Sequence, residues 1–143
     1  MMITREQFFN LERYGLKYFN EIKETLSDDD YWTILRTLWI DRGTCNNEWK
    51  TLLFCKRKRP HKIMKSSDRQ FLKKLPKTVT AYRVSFDDNF ENKWNWTLSK
   101  EFAERYAKNK PNSFIEEREI EKKQIFAYFN SRKEHEILIK DLL

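Results

Sequence analysis

The chain has 143 residues, 39% hydrophobic and 36% charged, with 29 Lys and Arg against 22 Asp and Glu for a net charge of +7. Five Trp, six Tyr and eleven Phe exclude a disordered chain, and the length suits one domain over residues 1–143. Only two glycines occur, Gly15 and Gly43, which excludes a Gly-rich phosphate loop, a dinucleotide fingerprint, a G-x-S-x-G nucleophile elbow and a calcium loop.

The N-terminal part, residues 1–75, reads as helical. Thr4 with Gln7 forms a capping-box pattern, and Phe8, Leu11, Tyr18, Ile22 and Leu26 follow at helical spacing. Ser27 before Asp28, Asp29 and Asp30 predicts a second start, because carboxylates favour the positive end of the helix dipole. Trp32, Leu35, Leu38 and Trp39 make its apolar stripe, and Gly43 suits its end. A short helix is expected around Trp49, Leu52 and Leu53. Another, capped by Ser67 with Gln70, carries Phe71 and Leu72 and is closed by Pro76.

The remainder, residues 76–143, reads as strands around one helix. Thr78–Ser85 is rich in β-branched and aromatic residues, and Lys93–Leu98 alternates with Trp94, Trp96 and Leu98 on one face. Ser99 caps a helix over 100–108 with Phe102, Ala103, Tyr106 and Ala107 inward. Ser113–Ile120 and Gln124–Phe129 read as strands joined by a charged turn, and Glu134–Ile139 as the last strand. Helices first and strands afterwards imply an α+β fold.

The charge is concentrated. Residues 56–77 hold ten of the basic and one of the acidic residues, leaving 19 basic and 21 acidic elsewhere. Such a run, led by Lys56, Arg57, Lys58 and Arg59, is either a solvated loop or a grip for nucleic acid or an acidic protein partner. Cys45, Cys55, His61 and His135 show no metal-ligand spacing, so no metal site is expected. The N-terminus holds charges and no apolar signal core. No apolar run approaches the roughly 20 residues of a membrane span, so a cytoplasmic protein without membrane contact is expected.

Three features bear on chemistry. On a strand, Glu134 and Glu136 would share a face about 6–7 Å apart, either as a charged strand end between Lys133 and Lys140 or as a working carboxylate pair. Asn95 and Thr97 share the face opposite the tryptophans. Arg83 is the one charged residue of its strand, placed to hold a phosphate or to reach solvent.

In order, these pieces resemble the arginine–serine–glutamate class of mono-ADP-ribosyltransferases. The match consists of Tyr82-Arg83 at a strand end, Asn95-Trp96-Thr97-Leu98-Ser99 entering a helix, the strand Ile125–Phe129, and Glu134-His135-Glu136 in place of the E-x-E motif. Leu75-Pro76 before Tyr82-Arg83 is similar to small transferase-like proteins of bacteriophages. The resemblance spans about residues 78–139. It implies a helical N-terminal part packed on a split β-sheet core, with NAD as substrate and no metal. It further implies a protein target, most simply an arginine of a host protein in the host cytoplasm. Arg83 and Tyr82 would bind NAD, Thr97 would shape the nicotinamide pocket, Glu136 would be the catalytic glutamate, and Glu134 would serve the acceptor. Asn95 stands where the family has serine, and Val84 where it often has glycine. The alternative is a non-catalytic module that binds through residues 56–77.

Overall fold

The computed structural model describes residues 3–86 and 93–140. It divides into two units: residues up to Thr44 with Cys55–Ile63, and Cys45–Phe54 with the residues from Met64 onward. The second helical pair therefore groups with the strands, not with the N-terminal helices.

In the first unit, α1 (Arg5–Tyr14) opens on the expected capping box, with Thr4 Oγ1 accepting from Gln7 N at 3.0 Å. The continuous helix expected beyond it breaks at Gly15, whose φ of +58° is strained for any side chain, and α2 (Leu16–Ile22) starts afresh. Phe8, expected on the buried stripe, is 50% exposed, and α1 buries only Leu11. Helix α3 (Asp28–Arg42) is the core element. Ser27 Oγ accepts from Asp30 N at 3.1 Å, and Tyr31, Trp32, Ile34, Leu35, Leu38 and Trp39 are buried. Gly43 ends α3 because a Cβ there would lie 2.3 Å from Trp39 Cε3.

The segment 55–63 is tied to the start of α3. Arg57 Nε meets Asp28 Oδ1 at 2.7 Å, its other nitrogens donate to the carbonyls of Lys23 and Leu26, and its guanidinium lies 4.6 Å from the Tyr31 ring centroid. Arg59 pairs with Asp29 at 2.6 Å, and Trp32 Nε1 donates to Lys58 O at 2.8 Å. The Arg59 pairing holds the Asp29 carboxyl below its ordinary value.

The second unit contains α4 (Asn47–Leu53), α5 (Ser66–Lys74), β1 (Thr78–Ser85), β2 (Asn95–Thr97), α6 (Lys100–Ala107), β3 (Phe114–Glu121), β4 (Ile125–Phe129) and β5 (Glu136–Ile139). Helix α5 starts two residues early, with Lys65 at its cap in place of Ser67, so Ser67 lies inside it. Helix α6 begins at the Ser99 cap and buries Ala103, but Tyr106 is 49% exposed, with Lys110 Nζ 4.7 Å from its ring centroid.

The five strands form one antiparallel sheet in the order β3-β1-β2-β5-β4. Consecutive strands β3 and β4 are thus at opposite edges and do not pair. Between β1 and β3 the register is continuous from Thr78↔Glu121 to Ser85↔Phe114, whereas β1 and β2 share one pair, Tyr82↔Thr97. This seam is the most sparsely paired join of the sheet, and the sheet as a whole is not flat. Glu121 and Ile125 are four peptide steps apart, a span of at most about 14 Å. Four strand spacings of a flat sheet would need about 19 Å, and the two residues also sit at opposite ends of their strands. Residues Lys122–Gln124 make a 3-10 turn that ties the two edges. Lys122 N donates to Lys77 O at 2.8 Å, and Lys140 N to Gln124 O at 2.9 Å.

The core of this unit is aromatic and aliphatic. Phe54 meets Trp94 and Phe126 edge-on at 5.4 and 5.3 Å, and the partly exposed Phe71 covers the buried Tyr128, stacked at 4.3 Å. Ile137, Leu138 and Ile139 are at most 1% exposed. Strand β5 starts at Glu136, not at Glu134. His135 has a φ of +48° and Lys133 of +57°, so the chain turns before it extends. Alternation along a strand therefore does not apply to Glu134.

Candidate active site

Three strands bring three polar side chains together at the seam. Beyond the Tyr82↔Thr97 pair, β1 leaves the β2 ladder, and Arg83 turns its guanidinium to Asn95. Arg83 Nη1 donates to the Asn95 carbonyl oxygen at 2.6 Å and also to Asn95 Oδ1. Asn95 Nδ2 in turn donates to Glu136 Oε2 at 3.4 Å. The result is a hydrogen-bonded chain from guanidinium through amide to carboxylate. The Nε–H of Arg83 is buried with no partner among the described residues. Leaving such a donor unsatisfied costs about 1–3 kcal/mol, a cost that an anionic ligand accepting from it would offset.

Thr97 is paired in register with both Tyr82 and Glu136, but its hydroxyl is used within the chain. Its Oγ1 donates to Glu134 O at 2.6 Å and accepts from Ser99 N at 3.0 Å. Thr97 therefore fixes the approach to β5 and the start of α6. Tyr82 is half-buried and, by strand alternation, faces away from Arg83. Glu134 is joined to this group through its backbone carbonyl. His135 is held by Asn130 Oδ1, which accepts from its N–H at 3.2 Å, and by the Tyr128 hydroxyl at 2.9 Å from its Nδ1. Burial, with the charge of Asp68, pushes the Tyr128 hydroxyl up to about 12.

Two partners of the site were not expected from the sequence. Cys45 Sγ donates to Asn95 Oδ1 at 2.8 Å, and burial pushes this thiol up to about 11. Cys45 lies in a connection without periodicity, so no sequence pattern marked it. Glu116 stands opposite Arg83 in the β1–β3 register and pairs with the buried Lys93 at 2.7 Å. Burial raises the Glu116 carboxyl, but Lys93, the Ser85 hydroxyl and the charge of Arg83 outweigh it and hold it below its ordinary value. The alternation of Glu116 with Ile115 was readable. Its pairing with Lys93 depends on the bend of the chain between them.

The basic segment is divided between the two units. Residues 56–63 belong to the first unit and 64–77 to the second. Arg57 and Arg59 are engaged by Asp28 and Asp29, and the side chains of Lys56 and Lys58 are exposed. In the second unit, Leu72, Leu75, Lys77, Glu121, Lys122 and Lys123 line an open groove of about 590 Å³. Among the described residues no cluster of His, Cys, Asp and Glu is arranged to hold a metal ion, and no helix is long and apolar enough to cross a membrane. Comparison finds no family model, no curated protein and no solved structure that matches the chain.

Proposed function

We propose that the chain is an NAD-dependent mono-ADP-ribosyltransferase that modifies a macromolecular acceptor, most simply a protein arginine. The observation that carries this reading is the hydrogen-bonded chain Arg83–Asn95–Glu136, drawn from three strands and joining the residues that the resemblance assigns to dinucleotide binding and catalysis. Arg83 is the cation this reading gives to the pyrophosphate, and Glu116, opposite it in register, is paired with Lys93 instead.

In this reading NAD supplies the ADP-ribosyl group and nicotinamide is the leaving group. Glu136 provides negative charge and a hydrogen-bond acceptor beside the ribose, where positive charge develops as the glycosidic bond breaks. Asn95 stands in place of the family's serine and orients that carboxylate. The acceptor nitrogen forms the new bond to the ribose carbon and loses one proton. Glu134 is the group the resemblance assigns to take it. The turn at His135 places Glu134 just ahead of the strand, where Thr97 holds its backbone. Lys77, Lys122 and Lys123 at the groove favour an acidic surface on the acceptor protein.

Incubating the chain with labelled NAD and a bacterial lysate tests the reading. Label should pass to protein, and Glu136→Gln should lower transfer by about 100-fold or more. Equal labelling by wild type and variant, or none by the wild type across lysates and added arginine, would overturn it.

A further inference from the structure

We propose that Cys45 is a positioning residue of this site: with Arg83 it holds the Asn95 amide in the one orientation that turns its N–H toward Glu136. The inference rests on the reading of Arg83–Asn95–Glu136 as a working site, and it adds a residue that the resemblance does not assign.

The argument starts from the amide. Its two ends are nearly equal in size, so a half-turn about the last side-chain bond would exchange oxygen and nitrogen. Only its neighbours decide between the two orientations. Here Oδ1 receives two donors, Arg83 Nη1 and Cys45 Sγ, while Nδ2 faces the Glu136 carboxylate. The Arg83 donor is divided, because the same Nη1 also serves the Asn95 backbone carbonyl. The thiol donates to the same Oδ1 as a second, independent donor. In the flipped amide, N–H groups would face the guanidinium and the thiol, and an oxygen would face a carboxylate.

Cys45 is itself held in place. It directly precedes Asn46, whose side chain caps α4 by accepting from Trp49 N at 2.9 Å, and Trp49 is 3% exposed. Cys45 is thus tied by its neighbour to a capped helix start that the buried Trp49 anchors, although it belongs to a connecting segment. It stays a donor because burial and the Glu136 charge outweigh the opposing pull of Arg83 and keep it protonated.

The test uses the full chain and three variants: Cys45→Ser keeps a donor, Cys45→Ala removes it, and Cys45→Val removes it while filling the space. The first readout is NMR of the Asn95 side-chain amide without NAD, identified by its loss in Asn95→Ser. Its two proton signals should stay in place in Cys45→Ser. In Cys45→Ala and Cys45→Val they should shift and broaden, with distant backbone signals unchanged. The second readout is turnover of NAD. Cys45→Ala should lower kcat about 10-fold with KM nearly constant, Cys45→Ser should restore it to within about threefold, and in an Asn95→Ala background Cys45→Ala should cost nothing further. Unmoved Asn95 signals in both Ala and Val variants, or additive losses in the double variant, would overturn the proposal. If the signals respond as expected but the wild type does not turn over NAD, the positioning role stands and the transferase reading falls.

Discussion

At the scale of single residues, position in the fold decides what a charge does. Arg57 and Lys58 are neighbours in one basic run, yet one is spent on internal bonds and the other faces solvent. Arg57 satisfies the carbonyls of Lys23 and Leu26, meets Asp28 and covers the Tyr31 ring. Arg57→Ala should therefore lower unfolding free energy by about 2 kcal/mol, while Lys58→Ala should stay within about 0.5 kcal/mol of wild type. Urea titration of the two variants checks this; equal effects would show that Arg57 behaves as an ordinary surface cation. The count of charges along the sequence carried the run but not this division, because Asp28 and Asp29 lie about 30 residues away. The same limit applied to Cys45. Arg83 stood out as the one charge of its strand, Asn95 as a polar position opposite the tryptophans and Glu136 at the head of an aliphatic run, whereas a cysteine in an irregular segment has no pattern to break.

At the scale of elements, caps and strand composition were legible and distant partners were not. Ser27, Thr4 and Ser99 all cap the helices they were expected to cap, and Thr78–Ser85 is a strand over the full expected range. The expectation failed where a local signal met a tertiary one. Phe8 lies in register with a stripe of which Leu11, Ile22 and Leu26 are buried, but Phe8 itself is exposed and the stripe is broken at Gly15. The Glu134–Ile139 run has strand composition throughout, yet the Asn130 side chain catches His135 and turns the chain first. Gly43 belongs at this scale too. It ends α3 with an ordinary φ of −66°, so its need is for space beside Trp39, not for backbone freedom. Gly43→Ala should thus cost about 1–3 kcal/mol by overpacking. In the same variant, Trp39→Leu should recover part of that loss, which thermal or urea unfolding would read. A neutral Gly43→Ala would mean that Trp39 moves aside at little cost.

At the scale of the whole molecule, pH reports on groups that the fold keeps neutral. Cys45 rises from an ordinary 9.0 to about 11 and Tyr128 from 10.0 to about 12, and burial raises Tyr31 as well. Each ionises more readily in the unfolded chain, so the unfolded state releases protons first. Stability should be intact below about pH 9 and fall progressively as pH climbs to about 12. Urea midpoints at pH 8, 10 and 11.5 measure this, and Tyr128→Phe should flatten the upper part of the decline. A flat profile over that range would contradict the burial of these groups. One further consequence comes from the turn at Lys122–Gln124. The two edges of the bent sheet are joined by a few residues of covalent strap, and between those edges Arg83 on β1 and Glu136 on β5 are linked only through Asn95. Lengthening it would let the two leaves open while each kept its own strand pairing. The spacing between β1 and β5 would then be adjustable from a site that touches neither Arg83 nor Glu136.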